Sequence, residues 1–353
     1  MYPSKKNQLT SFLFEAVHIQ CSPVAGTGTV VLNGDISSNL INAHHDNGIN
    51  INNSNNCITS LSISKNSVSG SFESLGGIVY VANNNLLANL TNHISINRNS
   101  ISNQGSASSL FFGITDCNIF TDFQCFGNEI SGGGDGIIIQ NFSVASQYCP
   151  LNIAVSDNLL NNTLQVAGAF NSAITINAEP DTFIQGYVLS NSILNTGTGA
   201  VTATGILLSN NFDARTDILF TGNTISNATS NGLLFNVLGN SNIQVQSNLV
   251  ENTGLNMATP ALNFLIDSGN SCLQIANNQF NGNNATGLGD VSVSLETGQV
   301  CVNMTGNSAP QFGYVLTNLG MGTFTATGLE DGNSGPFVIS TGIEAVPACT
   351  QCP

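Results

Sequence analysis

The chain has 353 residues, with 5 Lys and Arg against 20 Asp and Glu, no Trp and a formal net charge of −15 at pH 7. This balance excludes nucleic acid as a partner, because phosphate contact needs clustered Lys and Arg, and it disfavours anionic membrane surfaces. No run approaches the ~18 apolar residues of a membrane span, so no membrane insertion is expected, and the Gly- and Asn-rich, charge-poor composition suits strands joined by many corners.

Residues 1–32 keep no regular phase. Phe12, Phe14, Val17 and Ile19 suggest a short amphipathic segment or first strand, and Thr29-Val30-Val31-Leu32 reads as a strand. Lys5 and Lys6 are followed by no long apolar stretch, so no signal peptide is evident. The segment is expected to be an N-terminal cap over an otherwise exposed strand edge.

From 33 to 318 one phrase repeats, anchored on Asn66, Asn99, Asn128, Asn158, Asn191, Asn223, Asn248, Asn278 and Asn307 at steps of 25 to 33 residues. Two places after each anchor stands an apolar residue: Val68, Ile101, Ile130, Leu160, Ile193, Ile225, Val250, Phe280 and Ala309. Three places before stands another: Ile63, Ile96, Cys125, Val155, Val188, Phe220, Val245, Ile275 and Met304. Alternation with period two is the mark of a strand with one buried face. A second apolar run follows in each unit, such as Ile137-Ile138-Ile139 or Ile206-Leu207-Leu208. One such unit cannot bury its own apolar face, so the units must stack as a solenoid. Asn39 fits as a further early anchor, which gives about ten coils and, at ~4.8 Å per coil, a rod of roughly 50 Å. Asn suits the corner because it tolerates left-handed backbone. Its amide can also bond to the coils above and below, forming a ladder.

These nine units resemble the right-handed parallel β-helix proteins of the pectin-lyase-like superfamily, and Phe220-Thr221-Gly222-Asn223 resembles the repeats of chlamydial polymorphic membrane proteins, a bacterial surface type. The resemblance implies an all-β, right-handed parallel β-helix. It implies no single activity, because that fold carries lyases, hydrolases, phage spikes, adhesins and inert shafts. Pectate lyases of the superfamily hold Ca²⁺ with Asp residues and use Arg or Lys as base. Galacturonases use an Asp pair near Gly-His-Gly. Neither pattern is present, so no catalytic residue is carried over.

Residues 319–353 become Gly-rich, with strand-like runs at 323–327 and 337–339 outside the coil phase, and are expected to form a C-terminal cap or attachment segment. Nine Cys point to an oxidising compartment, hence an extracellular or cell-surface location. Cys272 and Cys301 stand six places before successive anchors and form the candidate disulfide. Cys21 can meet Cys57, Cys117 and Cys149 fall in successive units two places out of phase, Cys349 and Cys352 form a Cys-x-x-Cys, and Cys125 is expected as a buried core thiol.

Chemistry is sparse. His44-His45-Asp46 reads as a polar turn, since adjacent strand residues face opposite ways, and Gly132-Gly133-Gly134-Asp135-Gly136 also reads as a turn. No Gly-x-Ser-x-Gly elbow occurs. Asp116, Glu179, Asp213, Asp267 and Glu296 each follow the second strand of a unit and would form an acidic row if those strands stack. Paired carboxylates can hydrolyse a glycosidic bond or take Ca²⁺; no cofactor is otherwise implied. The expected role is a non-enzymatic extracellular shaft, adhesive or self-associating end to end or laterally, with a glycan or a cell surface as partner. The alternative is a carbohydrate-active enzyme or sugar-binding spike acting through the carboxylate row.

Overall fold

The computed structural model describes residues 7–10, 15–23, 29–54, 57–70, 76–83, 91–102, 105, 108–115, 119–143, 149–161, 163, 170–197, 201–255, 259–282 and 288–349. Among them every regular element is a strand. The strands form three parallel sheets, two of twelve strands and one of ten. One coil shows the plan. Phe120–Phe126 lies in the third sheet, the chain turns at Asn128, Glu129–Ser131 joins the first sheet, Ile137–Phe142 joins the second, and Cys149–Ser156 returns to the third one coil further on. The chain is a parallel β-helix.

Register follows the sequence phase. The inward column of the third sheet runs Ile63, Ile96, Cys125, Val155, Val188, Phe220, Val245, Ile275, Met304 in direct pairing. In the first sheet Leu9, Ile41, Val68, Ile101 and Ile130 pair in the same way. Nearly all of these side chains are fully buried. Aromatic rings stack through the same core: Phe112 lies 5.2 Å from Tyr80 and 4.0 Å from Phe123, and Phe235 lies 4.5 Å from Phe264. Each coil thus shields the apolar face of the next, and burial of that face is the main force holding the rod.

The ladder is longer than the nine anchors. The Oδ1 atom of Asn99 accepts both the backbone N–H and an Nδ2–H of Asn66, each at 3.0 Å, while the second Nδ2 proton of Asn66 reaches the carbonyl of Ile36 at 2.8 Å. This pattern recurs at every anchor through Asn307. It extends back to Asn39, to which Asn7 donates at 3.1 Å, and onward to Asn333, which accepts from Asn307 at 2.9 Å. Asn7 and Asn333 escape the sequence phase because one or both flanks lack apolar residues: Glu330 and Gly335 stand where the core residues would be.

Two expectations change. The left-handed residue at each corner is the one before the Asn: Ser38, Lys65, Arg98, Gly127, Asp157, Ser190, Gly222, Ser247, Asn277, Gly306 and Gly332 all have φ between 53° and 71°. The Asn is selected for its amide, not for its backbone. At both ends the sheets run on into the segments expected as caps. Gln8–Thr10, Val17–Cys21 and Val30–Ser37 pair with the next coil, and Thr323–Thr327, Phe337–Ile339 and Ile343–Ala345 continue the sheets, so coils exceed the ten expected. Backbone pairing needs no side-chain phase, and an end coil has a core on one side only. Phe12 and Phe14 lie outside the described residues.

The candidate Cys272–Cys301 disulfide is not formed. The two residues are direct register partners, as their spacing requires. Parallel in-register side chains keep their Cβ atoms about a strand spacing of ~4.8 Å apart, beyond the ~3.5–4.5 Å a disulfide needs. Cys301 bonds instead to Cys349 across a Cα–Cα distance of 5.7 Å, and Cys272 is itself disulfide-bonded. Cys21 does join Cys57 at the first coils, with Cα atoms 6.2 Å apart. Cys149 is buried, and Cys117 and Cys352 lie outside the described residues. Cys125 is the buried core thiol expected, its Sγ 3.8 Å from Asn158 Oδ1.

Three outcomes follow from this construction. Asn158→Ala removes the acceptor of both Asn128 donors and the donor to Cys125, and it should cost about 3 kcal/mol in urea unfolding. Ser247→Val, forcing a β-branched residue into a left-handed site with φ 53°, should destabilise by about 1–2 kcal/mol, while Ser247→Gly should not destabilise. Burial pushes the Cys125 thiol up from 9.0 to about 12, with a smaller opposing contribution from the Asn128 amide. The folded chain therefore holds the proton that the unfolded chain releases. Stability contributed by this group is complete below pH 9 and falls as pH rises toward 12. Cys125→Ala should flatten that alkaline decline in melting temperature.

Candidate functional site

Strand alternation places every second residue of the third sheet outward, and exact register turns those residues into columns along the rod. The central column runs Ser60, His93, Asp122, Asn152, Gln185, Asp217, Asn242, Cys272 and Cys301. Its acids and amides bond to one another between coils. Asn152 Nδ2 donates to Asp122 Oδ1 at 2.8 Å, Asn242 Nδ2 donates to Asp217 Oδ1 at 3.0 Å, and His93 Nδ1 lies 3.6 Å from Asp122 Oδ2.

Apolar columns flank it. On one side lie Phe120, Pro150 and Phe183, followed by Arg215, whose guanidinium sits 5.1 Å above the Phe183 ring. On the other lie Ala154, Tyr187 and Leu219, with Tyr187 41% exposed. Ser60, His93 and Asp122 stand in line, and among the described residues no hydrogen bond joins Ser60 to His93. Further along, Asn242, Gln244, Gln274 and Asn303 line a groove walled by Pro347, Ala348 and Cys349. The Cys301–Cys349 bond holds that wall. The whole face offers carboxylates and amides between aromatic and aliphatic surfaces, a chemistry suited to neutral hydroxyl-rich ligands.

The acidic row read from the sequence is broken. Equivalent backbone hydrogen bonds align Glu179, Asn211, Leu238, Asp267 and Glu296 in successive coils. Asp213 falls two residues past this column, in a turn closed by the Ala214 N–H on the Asn211 carbonyl, with φ 59°. Asn211 stands in its place, and Leu238 separates it from the later acids. Glu179 is engaged by Asn177 at 2.8 Å and Asn211 at 3.0 Å. Asp267 and Glu296 are exposed neighbours in consecutive coils, as expected, and Asp116 lies outside the described residues. Among the described residues no three His, Cys, Asp or Glu side chains converge in a metal-binding group. The loops between the second and third sheets differ in length, so a position counted from the second strand drifts. A position counted from the Asn anchor does not drift, and counting six places back from each anchor would have found the central column.

No protein-family profile matches the chain, and no curated protein matches it. Two solved structures are similar in outline. The A-module of the Azotobacter vinelandii mannuronan C-5 epimerase AlgE4 shows 12% identity over 90% of this chain and 92% of that one, with a TM-score of 0.27. The A-module of the Azotobacter vinelandii mannuronan C-5 epimerase AlgE6 shows 13% identity over 92% of each chain, with a TM-score of 0.28. Neither likeness transfers a residue role.

Peptide mapping without reduction should recover Cys21 linked to Cys57 and Cys301 linked to Cys349, and no peptide joining Cys272 to Cys301.

Proposed function

We propose that this chain is a non-enzymatic extracellular shaft, a stiff β-helical spacer whose sides meet its surroundings. The observation that carries the reading is where its outward polar groups are spent. Asn152 on Asp122, Asn242 on Asp217, Asn211 on Glu179 and Asn227 on Asn195 all tie one coil to the next. Polar side chains that staple neighbouring coils add axial stiffness and leave fewer groups for turnover chemistry. Disulfides near both ends support an oxidising, extracellular setting. The test is electron microscopy with small-angle scattering. Particles should be rods roughly 58 Å long per chain, from the twelve strands of each longer sheet at ~4.8 Å each, and should release no reducing ends from polysaccharides. Turnover of any polysaccharide that is lost in Asp122→Asn would overturn the reading. Calcium has no part in it, so EDTA should leave the melting temperature unchanged.

The third-sheet face favours a second reading, in which the shaft binds neutral glycans. Exposed Tyr187 and the Phe183–Arg215 pair would stack on sugar faces while Gln185 and Asp217 bond hydroxyls. On a glycan array, Tyr187→Ala and Asp217→Ala should each lower retention of a neutral glycan about tenfold, the factor that ~1.4 kcal/mol gives. Retention of none by the wild type removes this reading and leaves the shaft untouched.

A further inference from the structure

We propose that copies of this chain stack head to tail, the last coil of one docking on the first coil of the next; this rests on the shaft reading and names its partner. The end coils bury their core incompletely. Leu9, Ile19 and Ile36 are half-buried, whereas Ile41, Ile51 and Ile63 one coil later are wholly buried. At the other end Phe337 and Ile343 are half-buried against the fully buried Tyr314 and Phe324. Val30 and Ile339, both on inward columns, are 42% and 44% exposed.

Among the described residues the C-terminal segment does not cross the last coil. The Val346 N–H continues the ladder onto the Ala326 carbonyl, and the chain then turns back so that Cys349 bonds to Cys301 along the side of the rod. Among the described residues no strand pairs beyond these outermost ones, and such edges are of the kind that recruit another strand.

The two ends are chemically complementary. At every inner corner, the backbone N–H of the Asn donates to the Oδ1 of the next Asn; the Asn333 N–H finds no such acceptor among the described residues. Asn7, the first rung, has an Oδ1 that accepts nothing among the described residues while its Nδ2 donates forward. A second copy set one coil spacing beyond Asn333 brings these two groups together and continues the ladder.

Charge sets the polarity of the stack. No Lys or Arg follows Arg215, and the last coil carries Glu330, Asp331 and Glu344. The first coil adjoins Lys5 and Lys6 in sequence and carries two carboxylates: Glu15, engaged by Asn50 at 3.0 Å and by His18 at 3.6 Å, and Asp35, which accepts from Ser37 at 2.6 Å. Pairing two last coils would set three carboxylates against three with no cation near, whereas head-to-tail docking sets them against two carboxylates already engaged by neighbours and adjoining two lysines in sequence. A heterologous contact of this kind does not close, so it gives filaments.

The test uses sedimentation velocity and electron microscopy of the 353-residue chain across a concentration series. Wild type should form rods whose lengths are multiples of one unit. Ile339→Glu should block the tail end and Val30→Glu the head end, each giving monomers with an unchanged melting temperature. Mixing the two variants leaves one good head and one good tail, and should give dimers and nothing longer. Wild type that stays monomeric throughout, or variants that assemble as it does, would overturn the proposal. In that case single rods of unit length keep the shaft reading alive, whereas compact particles end both.

Discussion

The rod depends on one repeated hydrogen-bond set: an Asn amide oxygen that takes two protons from the Asn of the preceding coil, and an Asn amide nitrogen that gives one to the following Asn and one to a carbonyl behind it. Each of these side chains from Asn66 to Asn307 is nearly or wholly buried. A buried amide without partners would be strongly destabilising, so the corners hold only if the coils superpose. The superposed corners in turn hold the strands of all three sheets in register. Register then brings apolar residue over apolar residue through the core, and fixes which side chains share an outward column. Core, ladder and surface columns are three readings of one constraint.

That constraint explains how much of the molecule was legible in the sequence. Any position counted over the few residues between a third-sheet strand and its Asn keeps its phase, so the inward columns at Ile63 or Val155 and those at Val68 or Leu160 could be read directly. Positions counted across the variable loops could not. Asp213 drops out of its expected row because the Asn211–Ala214 turn shifts it, and Cys272 and Cys301, rightly placed side by side, fail to bond because strand spacing is too wide for their parallel side chains. The end coils were hidden for another reason. Asn333 keeps its ladder bonds and has lost the apolar flanks by which the other anchors announce themselves. The left-handed residue hides one place before the Asn, since Asn tolerates that conformation and Ser, Lys and Arg hardly suggest it.

The third-sheet surface is legible only through register. Its members, among them His93, Asp122, Gln185 and Asp217, look unrelated along the chain, and only register makes them a row. In a solenoid, surface chemistry is assembled at the coil period, so neighbours in space are 25 to 33 residues apart in sequence. Mixed polar and aromatic columns such as these provide a flat, repetitive surface, suited to a repetitive ligand more than to a small one held in a cavity.

The direction of the amide bonds has a bearing on how such a chain comes to be built. The acceptor that satisfies each Asn lies in the coil that follows, so a corner is finished only when the next length of chain has arrived. During synthesis from the N-terminus, the growing tip would always hold one incomplete rung, and each new coil would lock the one before it. Assembly would then advance in a single direction, one coil behind the ribosome, with the last corner at Asn333 the only one that nothing later in the described chain completes.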